Sequence, residues 1–344
     1  PNEFFASSPF AQRGVIHSFA AEGSGAQEIK DLGGFGTERQ RNLDQEVLGE
    51  STRFIRDAVA AEEPFFVWHN MTRMHYRTNL NDEYDGITGT GNVYADGMVE
   101  LDDDVGALLD LVDELGIDDN TVVIFSTDNG AASNSWPDGG NHPFRADKGV
   151  GGYEGGFKVP AMIKWPGVTE AGSTTGELVT MEDWVPTIMS LLGQPELKDN
   201  LLEGADIGGV EYRVHLDGFD QTPVLTGDGP SGRMFFPFFS ETTFHGLRFG
   251  EWKFLFTEQD KWFNGIQNQL VTPLITRLDL DRFERFHETR GFDEWQENRS
   301  WALGPAAAVA QQFFATFDEY PPRQASFDLD VQSIMDAMMD PSAR

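Results

Sequence analysis

The chain has 344 residues, of which 39% are hydrophobic and 24% charged, with 57 acidic against 25 basic side chains and a formal net charge of −32. A surface this acidic argues against nucleic acid or anionic membrane as partner, no apolar run approaches the ~18 residues that span a bilayer, and the absence of cysteine excludes disulfides, zinc thiolates and cysteine nucleophiles. The length suits one large domain with a smaller one appended. The first residue is Pro1, no secretory leader pattern opens the chain, and Pro1–Gln27 lacks a strong opening element, so the sequence reads as a fragment or processed piece.

Residues 38–62 carry Leu43, Val47, Leu48, Phe54, Ile55 and Val59 at helical spacing and are predicted as a helix. Pro64 stops it, and Phe65–Trp68 reads as a short buried strand. The polar segment 69–86 follows. Val93–Leu115 is a second predicted helix, with Met98, Val99, Val105, Leu108, Leu109 and Val112 inward, ended by Gly116. Thr121–Ser126 is a strand without polar alternation, as a strand covered on both faces should be. Residues 158–167 form another apolar stretch, and Met181–Leu192 a further helix. The order helix, strand, helix, strand predicts an α/β fold with a mostly parallel sheet flanked by helices over residues 1–195. Composition shifts near Pro195. Residues 196–231 are loop-rich, the stretches MFFPFFSE, HGLRFG and WKFLFTE read as antiparallel strands, and QQFFATF and VQSIMDAMM as helices. Residues 196–344 are therefore expected to be a small α+β subdomain.

Ligands bind beyond the carboxyl ends of strands in α/β sheets, and three segments there carry chemistry. Asp128-Asn129-Gly130 closes the strand ending at Ser126. Asn-Gly is a hairpin signal, but the long glycine-rich stretch after it leaves no adjacent second strand. Adjacent carboxylate and amide oxygens suit a hard divalent cation, although two ligands are too few for Ca²⁺, which takes ~6–8 oxygens. Turn and metal half-site both remain open at this point. Arg73, His75 and Arg77 place three potential cations within five residues of a lysine-poor chain, which suits an anion as well as a solvated loop. Arg145 and Lys148 lie in HPFRADKGVGGYEGG, whose glycines let the backbone approach a ligand or another strand closely; the loop lacks the GK[ST] ending of a phosphate-binding P-loop. Arg73, Arg77 and Arg145 are candidate substrate contacts.

Taken together, FFVWHNMTRMHYRTNL, TVVIFSTDNGA, HPFRADKGVGGYEGGFKVPAMIKWPG and MEDWVPTIMSLLG resemble the sulfatases of the alkaline phosphatase superfamily, the bacterial arylsulfatases in particular. The resemblance continues through HLDGFDQTPVLTG and GLRFGEWKFLF into EYPPRQASFDLD, and so covers nearly the whole chain. It implies that Asp128 and Asn129 are metal ligands, for Ca²⁺ or alternatively Mg²⁺ or Mn²⁺. It implies that His75 contacts the sulfate and protonates the leaving oxygen, and that Lys148 binds a sulfate oxygen. It further implies a sulfated small molecule or glycan as partner and a periplasmic or secreted setting.

The family's nucleophile is a formylglycine made from cysteine or serine in a C/S-x-P/A-x-R motif, with an aspartate pair near the start of the chain. Neither is visible here. Ser7-Ser8-Pro9-Phe10-Ala11 is a partial look-alike with Ala11 where arginine is needed, and it lies too close to the His75 segment. The sequence is thus expected to be the C-terminal part of a metal-dependent sulfuric ester hydrolase, inactive alone, with the formylglycine on an upstream or separately encoded N-terminal piece. The alternatives are a non-catalytic relative that binds sulfated ligands and a phosphoester or phosphonate hydrolase of the same superfamily.

Overall fold

The computed structural model describes residues 14–21, 27–75, 78–132, 143–240, 242–262 and 265–321. The described residues form two compact units, one running to Asp119 and the other from Asn120 onward. The division expected at residue 195 does not coincide with this one, because the segment carrying Asp128 and Lys148 groups with the C-terminal sheet.

The first unit opens with the hairpin β1 (Ile16–Ala20) and β2 (Gln27–Asp31). It continues with two long helices, α1 (Thr37–Ala60) and α2 (Val93–Glu114), within a residue or two of their predicted bounds. The Asn92 side chain caps α2 by accepting the Ala95 N–H at 2.8 Å, satisfying one of the free donors at a helix start. Phe65–Trp68, predicted as a buried strand, has no regular secondary structure and no sheet partner among the described residues, and Phe66 and Trp68 are largely exposed. An apolar run specifies neither the partner strand nor the second covering layer that such a strand needs.

In the second unit β3 (Val123–Ser126) pairs with β4 (Ala161–Lys164), and the pairing is antiparallel. Every strand pair among the described residues is antiparallel, so the mostly parallel sheet has no counterpart in them. The connection from β3 to β4 passes through the glycine-rich segment and a single-turn helix, α3 (Glu154–Phe157). Next come α4 (Trp184–Leu191) and α5 (Leu197–Glu203), the small hairpin of β5 (Ala205–Ile207) and β6 (Val210–Tyr212), and α6 (Thr222–Thr226).

The antiparallel C-terminal sheet is present as expected. It is a meander of β7 (Phe235–Ser240), β8 (Thr243–Phe249), β9 (Trp252–Gln259) and β10 (Gln267–Arg277), in the order β10-β9-β8-β7. One face buries Leu247, Phe254 and Ile275 against Ala302 and Ala306, at the start of the closing helix α8 (Leu303–Glu319); α7 (Phe292–Glu297) precedes it. The opposite face buries Leu255 against Val150 and Tyr153, so β9 packs on the glycine-rich segment. The predicted helix at VQSIMDAMM lies outside the described residues.

Candidate active site

In the first unit the His75 segment is held by buried charge. The Arg73 guanidinium donates to both oxygens of Glu100 on α2, from Nε at 2.8 Å and NH2 at 2.9 Å. Asp44 on α1 accepts the backbone N–H groups of Thr72 at 2.8 Å and of Arg73 at 3.2 Å. The side chains of all three charged residues are essentially inaccessible. A buried bidentate arginine–carboxylate pair is strong and directional, and its loss would strand a buried charge. The structure therefore gives Arg73, expected as a substrate contact, an interior role as the anchor of this segment. Gly97 of α2 makes room for the Met74 sulfur, since a Cβ there would overlap it and stand 3.0 Å from the Met74 methyl carbon. His75 itself is exposed, with its N–H donating to Thr72 O at 2.9 Å and its carbonyl accepting from the Thr78 hydroxyl. Arg77 lies outside the described residues, as does the Ser7–Ala11 stretch.

Asp104 extends this cluster. Burial, followed by the nearby Asp44 and Glu100 carboxylates, raises its pKa to about 6, with Arg73 pulling the other way.

In the second unit Asp128, Asn129 and Lys148 come together through the backbone. The Gly130 N–H donates to Gly156 O at 3.0 Å, and the Lys148 N–H donates to Ala131 O at 3.1 Å. The Gly155 N–H donates in turn to Arg145 O at 2.8 Å. Three chain segments thus pack main chain on main chain, and at Gly130 and Gly155 the approach leaves no room for a side chain. A Cβ on Gly130 would stand 2.8 Å from the Gly155 carbonyl carbon and closer still to its oxygen, and one on Gly155 would be equally close to the Ala146 carbonyl carbon. The glycine of Asp-Asn-Gly therefore serves a close backbone approach and not a hairpin turn. Asp128 is exposed and Asn129 half-buried, and the Asn129 amide makes no hydrogen bond to another described residue. Lys148 is half-buried, has no ion pair among the described residues, and points its ammonium at the Trp262 ring, 5.7 Å from the centroid.

Arg145 is more constrained than a free substrate contact would be. Its NH1 donates to Glu288 at 2.8 Å, to His287 Nε2 at 2.7 Å and to Glu284 O at 3.1 Å, while its guanidinium lies 4.5 Å over the Tyr153 ring. Burial and this guanidinium both hold the His287 pKa down, which keeps Nε2 free to accept. Arg145 also lines a cavity of about 270 Å³ with Tyr153, Glu258, Asp260 and Asn268.

Beneath the loop lies a buried charge cluster that the sequence did not reveal. Lys253 of β9, fully inaccessible, pairs with Glu154 at 3.2 Å and with Glu284 at 2.6 Å. Glu284 also accepts the Glu154 N–H at 2.7 Å. Burial pushes both carboxyls up. Lys253 and Arg248 outweigh it at Glu154, whose pKa is lowered, whereas at Glu284 burial prevails and the pKa is raised. Among the described residues no group of three histidines and carboxylates gathers to hold a metal. The adjacent oxygens of Asp128 and Asn129 are of the hard-donor type that fits Ca²⁺ or Mg²⁺, but they make only part of a coordination shell.

Comparison with known proteins decides the family. The "Sulfatase" family matches residues 5–194, more than half of the chain. The chain belongs to the sulfatase family.

Among curated proteins it is similar to N-acetylgalactosamine-6-sulfatase of Mus musculus, 29% identical over 295 residues covering 79% of this chain and 53% of the relative. It is also similar to arylsulfatase A of Homo sapiens, 32% identical over 211 residues covering 60% of this chain and 38% of the relative. Among solved structures it resembles the PsFucS1 sulfatase from Pseudoalteromonas sp., with a TM-score of 0.73 and 26% identity, covering 87% of this chain and 57% of that one. The chain thus spans about a third to a half of the length of the curated relatives it matches. No described helix of this sulfatase-family chain is long and apolar enough to cross a membrane.

Proposed function

We propose that this chain is part of a sulfuric ester hydrolase of arylsulfatase type acting on a sulfated small molecule or glycan. The observation that carries the reading is the hydrogen bond from the Lys148 N–H to Ala131 O, with that from Gly130 to Gly156 O. These bonds bring the Lys148 main chain beside the strand end that carries Asp128 and Asn129, and the Lys148 ammonium has no ion pair among the described residues, in a chain of net charge −32. Overall repulsion of an anionic substrate is screened over ~8 Å at physiological salt, so the local cations dominate.

In the proposed reaction Lys148 binds a sulfate oxygen and offsets the charge that moves onto oxygen as the S–O bond breaks. His75 donates a proton to the leaving alcohol oxygen. Arg73 keeps the His75 segment in place, and Arg145 faces the alcohol portion of the substrate from the cavity it lines. A hard divalent cation, Ca²⁺ by preference over Mg²⁺ or Mn²⁺, would be held by Asp128 and Asn129 with further oxygens, and would polarise the sulfate oxygens. The nucleophile is expected from a formylglycine, and no residue among these 344 is assigned to it. A periplasmic or secreted setting accompanies the reading.

The test is hydrolysis of 4-nitrophenyl sulfate and sulfated saccharides by protein expressed from its complete coding sequence with a formylglycine-generating system. Lys148→Ala and Asp128→Ala are each expected to lower kcat/KM by about a hundredfold or more, in line with loss of one oxyanion-stabilising group. Hydrolysis of phosphate monoesters or phosphonates in preference to sulfates would overturn the reading, as would full activity in Lys148→Ala.

A further inference from the structure

The C-terminal sheet does more than cover the core. Gly149 lies flat on the Trp262 indole, where a Cβ would overlap the ring, and Gly151 lies on the His245 ring in the same way. A Cβ on Gly152 would stand 2.8 Å from Leu255. Gln259, at the end of β9 and 6% exposed, ties these parts together. Its Oε1 accepts the Gly151 N–H at 3.2 Å. Its Nε2 donates to Lys261 O at 2.8 Å, with Trp262 O at 3.3 Å and Gly149 O at 3.4 Å. One buried amide therefore grips both the lysine loop and the turn that carries the indole.

We propose that Trp262 and Gln259 are positioning residues for Lys148: the indole face is the rest for its ammonium, and the Gln259 amide fixes that face against the loop. The physical reason for an aromatic rest is charge. A carboxylate partner would neutralise the ammonium and compete with an incoming anion. A ring holds the cation through its quadrupole within about 6 Å of the centroid and leaves the full charge available. In so acidic a chain, a ring is the partner that orients the lysine without cancelling it. The proposal rests on the reading of Lys148 as an anion-binding residue, and its test separates the two.

The experiment is NMR of the full chain with its accessible lysines reductively ¹³C-dimethylated, the Lys148 signal being assigned by its loss in Lys148→Arg. The unsubstituted protein is expected to show a ring-current-shifted Lys148 signal. Trp262→Leu and Gln259→Ala are expected to move it towards the positions of exposed lysines, with the circular dichroism spectrum unchanged, and Trp262→Phe to retain part of the shift. Titration with inorganic sulfate is expected to perturb this signal, with Kd raised about three- to tenfold in Trp262→Leu and Gln259→Ala. A Lys148 signal without ring-current shift in the unsubstituted protein overturns the proposal and needs no variant to fold. Unchanged signal and Kd in both variants overturn it too. If Trp262→Leu moves the signal but sulfate never perturbs Lys148, the positioning role holds and the anion-binding reading of Lys148 fails.

Discussion

Gly130→Ala tests whether the Asp128–Asn129 strand end and the lysine loop are held by backbone contact. Gly130 does not have positive φ, so alanine brings no conformational strain of its own, and loss of chain entropy in the unfolded state would slightly favour it. The cost is local: the new Cβ would stand 2.8 Å from the Gly155 carbonyl carbon and 3.1 Å from that of Gly156. Both are main-chain atoms that no rotamer change can move. The strand end must withdraw, and the bonds from Gly130 to Gly156 and from Lys148 to Ala131 lengthen or break. Overpacking costs about 1–3 kcal/mol, and two buried backbone hydrogen bonds add about 1 kcal/mol each. The net destabilisation is expected near 3 kcal/mol after the small entropic gain. In urea, with m of about 2 kcal/mol/M, this lowers the midpoint by about 1.5 M, read by tryptophan fluorescence. Gly106→Ala is the matched control, since its Cβ meets open space on helix α2 and should stabilise by about 0.5–1 kcal/mol. A midpoint for Gly130→Ala within 0.25 M of the unsubstituted protein, at about 0.5 kcal/mol for that m, would refute the close-contact account.

Lys253→Met removes the cation shared by Glu154 and Glu284 and is expected to cost about 3–5 kcal/mol in urea unfolding, because it strands two buried carboxylates; a loss under about 1 kcal/mol would show that water or another cation replaces it. Asp104 has a folded-state pKa of about 6 against a reference of 3.8. Its contribution is therefore fully favourable below about pH 4 and is lost as pH rises through about 6. Asp104→Asn should match the unsubstituted protein below that window and exceed its stability by up to about 3 kcal/mol at pH 8; a pH-independent difference would count against the cause given. Finally, the 344-residue chain alone is expected to hydrolyse no aryl sulfate above background, and robust turnover by the purified chain would refute this.

Periodicity and short motifs were enough to mark much of this protein. Helices α1 and α2 were legible because their apolar residues recur at helical spacing between clear stop signals, Pro64 and Gly116. The C-terminal strands were legible as short aromatic-rich runs between turns. The resemblance to sulfatases rested on wording and order, which a linear sequence carries in full. Asp128, Asn129 and Lys148 could be singled out by residue type and place along the chain.

Only the tertiary structure decided which partners the arginines, the buried lysine and the loop glycines take. Arg73 and Arg145 stood as substrate contacts because arginine near a histidine or a glycine-rich loop suits an anion; their engagement by Glu100 and by Glu288 depends on partners 27 and 143 positions away. The direction of the β3–β4 pair could not be read, since an apolar strand looks the same whichever way its neighbour runs. The glycines of residues 149–156 read as flexibility, yet they mark where another surface fills the space of a side chain: main chain at Gly155, Trp262 at Gly149 and His245 at Gly151. Gln259, Trp262 and Lys253 left no local signal, because each makes a contact across more than ninety residues, to Gly151, Lys148 and Glu154 in turn. A sequence records which groups are present and their local spacing; long-range packing determines which of them face a ligand and which hold the others still.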